Sequence, residues 1–288
     1  MKRFLILFPF LCCGMHATAG DSLKILSWNI FMVPPVIFRS CQQERAVMIG
    51  DYIKAQQPDV IILEETFMKK TREIIYTHLK ESYPFQSDIT KRGLLKSNSG
   101  VWILSKFPLL KQDFITYKNK KSGDRFSRKG ATFTEINIHG NPVQIIGTHT
   151  QSQEKYRTVR ELQFQQLKSA LADKYFNPAI PQLIIGDLNA DYYDTTAYYS
   201  MLSIFDASPV HYSGEKYSWD GVNNDLANKF FEHIQQTLDY ILLRKEHETS
   251  AKINSVEILK PTKDGCFCKK AFFNLSDHHP IVSTVHLQ

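Results

Sequence analysis

The sequence predicts an α+β protein in which two β-sheets pack face to face and carry helices on their outer faces. Strand-like apolar runs outnumber helical stretches, and the helical stretches fall between groups of strands rather than alternating with them one for one. Each sheet face needs an apolar partner, and a four-layer α/β/β/α sandwich supplies one for every face. An open doubly wound parallel sheet would need a more regular strand–helix alternation than 100–148 offers. The 288 residues suit one large domain with a substantial core. No linker, repeat or break in composition divides them.

At the N-terminus, Lys2 and Arg3 lead into an apolar run from Phe4 to Cys13, followed by Ala17-Thr18-Ala19. A positive start, a short apolar stretch and small residues before a cleavage point make a secretory signal peptide over 1–19, leaving 20–288 as the folded domain. The run is too short for a membrane anchor, and no other segment reaches about 18 apolar residues. Export to the periplasm or the medium is therefore expected. Export permits disulfides, and the mature chain keeps Cys41, Cys266 and Cys268. An odd number points to one bridge involving Cys41 and a spare thiol, with the connectivity left open.

The elements follow in order. Leu23–Trp28 alternates as a half-buried strand. Ala46, Ile49, Gly50 and Ile53 recur at helical spacing within 42–56, and Pro58 ends that helix before the buried strand Asp59–Leu63. A helix is expected over Met68–Lys80. Strands are expected at Gly100–Ser105, Phe114–Tyr117, Ala131–Ile138 and Val143–Thr148. A long helix runs from Glu154 to about Phe176, then a buried strand at Gln182–Ile185 and a helix near Thr195–Phe205. Strands at Leu238–Leu243, Lys252–Leu259 and Ile281–His286 finish the chain.

Polar residues of one kind sit at the ends of these apolar strands: Asn29, Glu64-Glu65, His149, Asp187 with Asn189, Asp239, and Asp277-His278-His279. Carboxylate and amide oxygens suit Mg²⁺, and an imidazole can carry a proton near neutral pH. Singly, each has a plain explanation as turn chemistry, a cap or a surface carboxylate. Together, on the strand ends of a rigid sandwich, they supply what a divalent cation and a general base require. The net charge is +6, falling to +4 once Lys2 and Arg3 are removed. That is weak for nucleic acid and also suits an anionic membrane surface.

The ordered series Ser27-Trp28-Asn29, Leu63-Glu64-Glu65, Gly147-Thr148-His149, Gly186-Asp187-Leu188-Asn189, Leu238-Asp239-Tyr240 and Ser276-Asp277-His278-His279-Pro280 resembles the endonuclease/exonuclease/phosphatase (DNase I-like) superfamily. Within it, Gly-Thr-His-Thr-Gln ending at Gln151, Ser127-Arg128-Lys129-Gly130, Ser218-Trp219-Asp220 and Ser105-Lys106-Phe107-Pro108 are similar to segments of the bacterial neutral sphingomyelinases. The resemblance implies a Mg²⁺-dependent phosphodiesterase, with Mn²⁺ or Co²⁺ as substitute ions. It would hydrolyse sphingomyelin to ceramide and phosphocholine at a membrane surface, as a monomer with no obligate protein partner.

It also implies roles. Glu65, Asn29 and Asp277 would hold the metal. His278 would be the general base, oriented by Asp239, while Asp187, Asn189 and His149 would serve water and phosphate. Lys129, Gln151 and Asp220 would contact the substrate. The chain departs from those enzymes at Asn98-Ser99, where they carry an acidic pair, which puts an accessory metal in doubt. It also has a shorter stretch, Pro261–Asn274, in place of their Trp-bearing hairpin. Ile37 and Phe38, in the apolar loop 32–38, and Phe267 are the candidates for membrane docking. An exported nuclease and a phosphoinositide phosphatase are the alternatives. The basic cluster at Lys118–Lys121 and Arg125–Lys129 would serve either.

Overall fold

The computed structural model describes residues 22–89, 98–245, 248–249, 251–267 and 272–287, without the side chains of 263–267. The segment expected to be a signal peptide, Cys268, and the side chains of Cys266 and Phe267 lie outside the described residues. Cys41 is disulfide-bonded.

Two sheets form the centre. The first runs Phe85–Gln86, Trp102–Ser105, Val60–Glu64, Ser22–Asn29, Ile281–His286, Val256–Ile258, Tyr212–Gly214, with Lys252–Ile253 also paired to Ile281–His286. The second runs Asp239–Leu243, Gln182–Asp187, Asn141–His149, Gly130–Ile138, Leu109–Thr116. Strand alternation sorts the side chains. Leu23, Ile25, Val60 and Ile62 face the second sheet and join Ile136, Ile145 and Ile185 in the inner core. Leu26, Trp28, Ile61 and Leu63 face outward, against Ala46, Ile49 and Ile53 of helix Gln42–Gln56 and Ile75 and Leu79 of helix Lys69–Leu79. Phe164, Leu167, Leu171, Met201 and Phe205, from helices Arg157–Leu167 and Thr195–Phe205 and the turn between, pack against the second sheet. The expected four layers are present.

The differences lie at element ends and edges. The helix expected from Glu154 to Phe176 starts as a 3₁₀ turn, is α-helical over Arg157–Leu167, and passes into a π-helical stretch at Lys168–Ala172. Leu109–Thr116 is longer than the expected Phe114–Tyr117, because five of its eight residues are exposed and no buried alternation marks this edge strand. Lys252–Leu259 divides into Lys252–Ile253 and Val256–Ile258. Within 261–274, Thr262–Phe267 pairs antiparallel with Phe272–Asn274. No described helix is long and apolar enough to cross a membrane.

Candidate active site

Strand direction explains why the six motifs meet. Ser22–Asn29 and Val60–Glu64 are parallel, with Asn29 level with Glu64. Asn141–His149 and Gln182–Asp187 are parallel, with His149 level with Asp187. Parallel neighbours finish at the same edge, and an antiparallel neighbour starts there. Asp239 accordingly opens its strand opposite Asp187, and Asp277-His278 precede the strand that runs antiparallel to Ser22–Asn29.

Hydrogen bonds pin this edge both within the first sheet and across to the second. Trp28 Nε1 donates to the carbonyl of His278 at 2.9 Å, and Ser276 Oγ to that of Asn29 at 2.6 Å. Asn29 Nδ2 crosses to Asp187 Oδ2 at 3.2 Å. The buried Arg45 guanidinium donates to the carbonyls of Leu275, at 2.7 Å, and of Ile30 and Phe31. It therefore clamps the segments that carry Asn29 and Asp277.

Asn29, Glu65, His149, Asp187, Asn189, Asp277 and His278 line one cleft of about 470 Å³, with Asp239 buried directly behind His278. His278 Nδ1 lies 2.9 Å from Asp239 Oδ2, and its Nε2 lies 3.6 Å from Asp187 Oδ2. Trp219 packs edge-on against the imidazole, centroids 5.1 Å apart. Three residues of the cleft wall, Phe31, Glu65 and Asn189, hold left-handed backbone conformations with φ near +50°. Strain of this kind is characteristic of functional sites.

Electrostatics separates the two histidines. Burial alone would push the His278 pKa down, but the carboxylates of Asp239, Asp187 and Asp277 raise it well above the ordinary imidazole value. His149 is pushed well below that value by burial and then by the neighbouring Lys129 and His278 cations. Glu65, Asp187 and Asp277 are all raised, in each case chiefly by burial, and Glu65 further by the Asp277 charge. Glu64 points the other way, between the sheets, where Ser27 Oγ donates to its Oε1 at 3.0 Å.

Three sequence candidates stand behind the cleft wall rather than in it. Lys129 is 3 % exposed, so it is not a solvated surface lysine. Its Nζ lies 2.8 Å from His149 Nε2 and 2.9 Å from Asp124 Oδ1, which places it against His149 rather than free for a phosphate. The Gln151 side chain accepts from Lys121 N at 2.7 Å and donates to the carbonyl of Ser152 at 3.2 Å, bracing a loop. Asp220 Oδ1 accepts from Val222 N, Asn223 N and Gln235 Nε2, which closes a turn. His279 is buried beside the carbonyl of Tyr217 and takes no part in the cleft. Asn98 holds the backbone of its own loop, its Oδ1 accepting from Gly100 N and its Nδ2 donating to the carbonyl of Phe67.

The docking candidates divide. Ile37 is 70 % exposed, while Phe38 packs on Phe31 and Phe230, centroids 5.6 and 5.1 Å away. Sequence reasoning missed the apolar wall of the cleft, formed by Phe31, Trp219, Phe230, Phe231, Ile234 and Leu238. The adjacent aromatic pair Phe230-Phe231, within an otherwise polar stretch, was the available signal.

The donor chemistry fits a divalent cation. Asn29, Glu65 and Asp277 offer oxygen atoms to the cleft, as hard cations prefer. The buried Glu65 Oε2 has no hydrogen-bond partner. Carboxylates raised by burial and by one another are relieved by a bound positive charge. A second set, Asp187, Asp239 and His278, brings ligand atoms within 4.8 Å of one another. There the Asp239–His278 hydrogen bond already engages one atom of each partner.

Comparison with known proteins agrees with this geometry. The sequence profile of the Endonuclease/Exonuclease/phosphatase family matches residues 26–278. Sphingomyelinase C 2 of Leptospira interrogans serogroup Icterohaemorrhagiae serovar Lai is 32% identical over 92% of this chain; the match spans 46% of that protein, about half its length. Sphingomyelinase C of Bacillus cereus is 28% identical over 93% of this chain and 90% of its own length. Among solved structures, Sphingomyelinase C from Streptomyces griseocarneus superposes with a TM-score of 0.84 at 25% identity, over 92% of this chain and 99% of that one. A double mutant of Staphylococcus aureus beta toxin with bound magnesium ions gives the same TM-score at 25% identity, over 93% and 100% of the two chains. With its strand order, its site and its sequence in agreement, the chain belongs to the Endonuclease/Exonuclease/phosphatase family and is a phosphodiesterase hydrolase within it.

Proposed function

We propose that the protein is an exported, Mg²⁺-dependent phosphodiesterase that hydrolyses sphingomyelin to ceramide and phosphocholine. One observation carries the reading: a carboxylate-rich cleft beside the Asp239–His278 dyad is walled on one side by Phe31, Phe230, Phe231 and Ile234. A phosphodiester with an apolar leaving group needs both halves of that cleft. The names of the relatives point to the same substrate. The bonded Cys41 accords with an oxidising compartment.

Asn29, Glu65 and Asp277 would hold the cation. When bound, it polarises a phosphoryl oxygen and stabilises the departing alkoxide. The remaining work belongs to the chain. His278 takes a proton from the attacking water through Nε2, while Asp239 fixes the tautomer by receiving Nδ1–H and stabilises the imidazolium that forms. Asp187, between the two histidines, and Asn189 orient the water and the phosphate oxygens. His149, kept neutral, donates a hydrogen bond to the phosphoryl group as negative charge accumulates. The P–O bond to ceramide breaks as the water oxygen bonds to phosphorus. Trp219, edge-on to the imidazole, shields one side of the ring and leaves Nε2 to the water.

The test presents sphingomyelin vesicles, phosphatidylcholine vesicles, a phosphoinositide and DNA side by side, with Mg²⁺ or with chelator. Phosphocholine release from sphingomyelin alone, abolished by chelator, is the expected result. DNA cleavage without lipid turnover would make the protein a nuclease.

A further inference from the structure

The loop 118–128 carries Lys118, Lys120, Lys121, Arg125 and Arg128 against a single acid, Asp124. Lys118, Lys121 and Arg125 are exposed, and between the two arginines Phe126 is 73 % exposed. The acid does not cancel this charge at the surface. Its carboxylate turns inward, 12 % exposed, to pair with the buried Lys129 at 2.9 Å and to accept from Ser152 N at 3.1 Å. Glu154, the next acid along the cleft wall, is engaged by Arg157 and Arg160.

The loop is also held in place. Gln151, 0 % exposed, accepts from Lys121 N and donates to the carbonyl of Lys121, and Gln163 Nε2 donates to the carbonyl of Asn119 at 2.7 Å. Ser152 and Glu154, which these contacts adjoin, line the catalytic cleft. An anchored, outward-facing set of cations around an exposed aromatic ring therefore borders the mouth of the cleft. Phe230, Phe231 and Ile234 line the same cleft and are each 40–44 % exposed.

We propose that Lys118, Lys121 and Arg125 with Phe126 form a docking site for anionic phospholipid. The cations would engage phosphate and carboxylate headgroups, and the phenyl ring would enter the boundary between headgroups and acyl chains. Charge complementarity selects the anionic surface. The exposed phenylalanine and the exposed apolar residues of the cleft favour a bilayer over the polar groove of a nucleic acid. This site is separate from the catalytic machinery and does not depend on which phosphodiester is cleaved.

Co-sedimentation of the full chain with phosphatidylcholine vesicles, with and without phosphatidylglycerol and always without sphingomyelin, tests it. Wild type should bind the anionic vesicles more tightly, and added salt should weaken that binding. The triple variant Lys118→Ser, Lys121→Ser, Arg125→Ser should lose on the order of a hundredfold in affinity for them, from three near-surface charges. Phe126→Ser should weaken binding while leaving its salt dependence. Turnover of a soluble phosphodiester should be unchanged in both variants, which shows that they are folded. Equal binding to the two vesicle types, or full retention of binding by the triple variant, would overturn the proposal. So would binding of a DNA duplex in place of vesicles.

Discussion

His278 Nδ1 and Asp239 Oδ2 stand 2.9 Å apart, both side chains buried, although 39 residues separate them in the chain. A hydrogen bond of this kind sets the tautomer. It turns Nε2 toward the cleft and Asp187, where a water can be deprotonated. His278→Ala should therefore lower kcat by about a hundredfold or more, with little change in thermal stability. Steady-state turnover of a soluble phosphodiester, compared with the unfolding midpoint, separates the two effects.

The pH profile should respond to the same pair. A general base acts when neutral, so activity is lost as pH falls through the His278 pKa. Asp239 is the foremost of the groups that raise that pKa. Asp239→Asn should move the acid limb of kcat to lower pH while reducing its plateau. A limb that stays in place or moves upward would show that Asp239 does not set the basicity.

Cation binding should be written in stability as well. Burial and the Asp277 charge raise Glu65 from 4.5 to about 8. A folded-state carboxyl pKa above its unfolded value means that the metal-free fold binds the extra proton. Its contribution is present at low pH and is lost as pH rises through that window. A cation replaces the proton, so added Mg²⁺ should raise Tm more at about pH 8 than at about pH 5. Glu65→Gln should remove most of the difference. Thermal unfolding with and without Mg²⁺ at both values is the measurement.

The apolar loop after the first strand should matter only at a bilayer. Replacing Ile37 and Phe38 with Ser should reduce turnover of sphingomyelin vesicles by roughly tenfold and leave a soluble choline phosphodiester nearly unaffected. Equal losses on both would assign the pair to packing, as the contacts of Phe38 with Phe31 and Phe230 allow.

Gly186 tests the frame beneath the site. At φ +134°, an added Cβ would meet the carbonyl oxygen of Thr148 at 2.0 Å and Glu64 Oε1 at 2.8 Å. Both the backbone and the space demand glycine. Gly186→Ala should cost about 3 kcal/mol or more in a denaturant titration.

The parts of this molecule legible in its sequence are those that local chemistry dictates. Ser22–Asn29 and Val60–Glu64 read as strands because their side chains serve two apolar faces. The proposed catalytic set is legible because Asn29, Glu65, His149, Asp187, Asp239 and His278 are chemically matched and sit at strand ends. Long-range packing hid the rest. Nothing near Phe85–Gln86 or Tyr212–Gly214 marks a two- or three-residue edge strand, which exists only because a neighbour offers its hydrogen bonds. The π-helical stretch at Lys168–Ala172 breaks no periodicity in the sequence. Lys129, Gln151 and Asp220 looked like substrate contacts, yet partners from 124 to 235 hold them behind the wall. Arg45 gave no local sign that it would clamp the carbonyls of residues 30, 31 and 275.

The account rests on a cation held by Asn29, Glu65 and Asp277 beside a His278 that stays free to act as base. Mn²⁺ is visible by its anomalous scattering and substitutes for Mg²⁺ in oxygen sites. Crystals grown with Mn²⁺ should give an anomalous peak within about 2.3 Å of Glu65 and Asn29 oxygens, with the His278–Asp239 hydrogen bond intact. A peak ligated instead by His278 and Asp239 would take the base out of the mechanism and contradict the account.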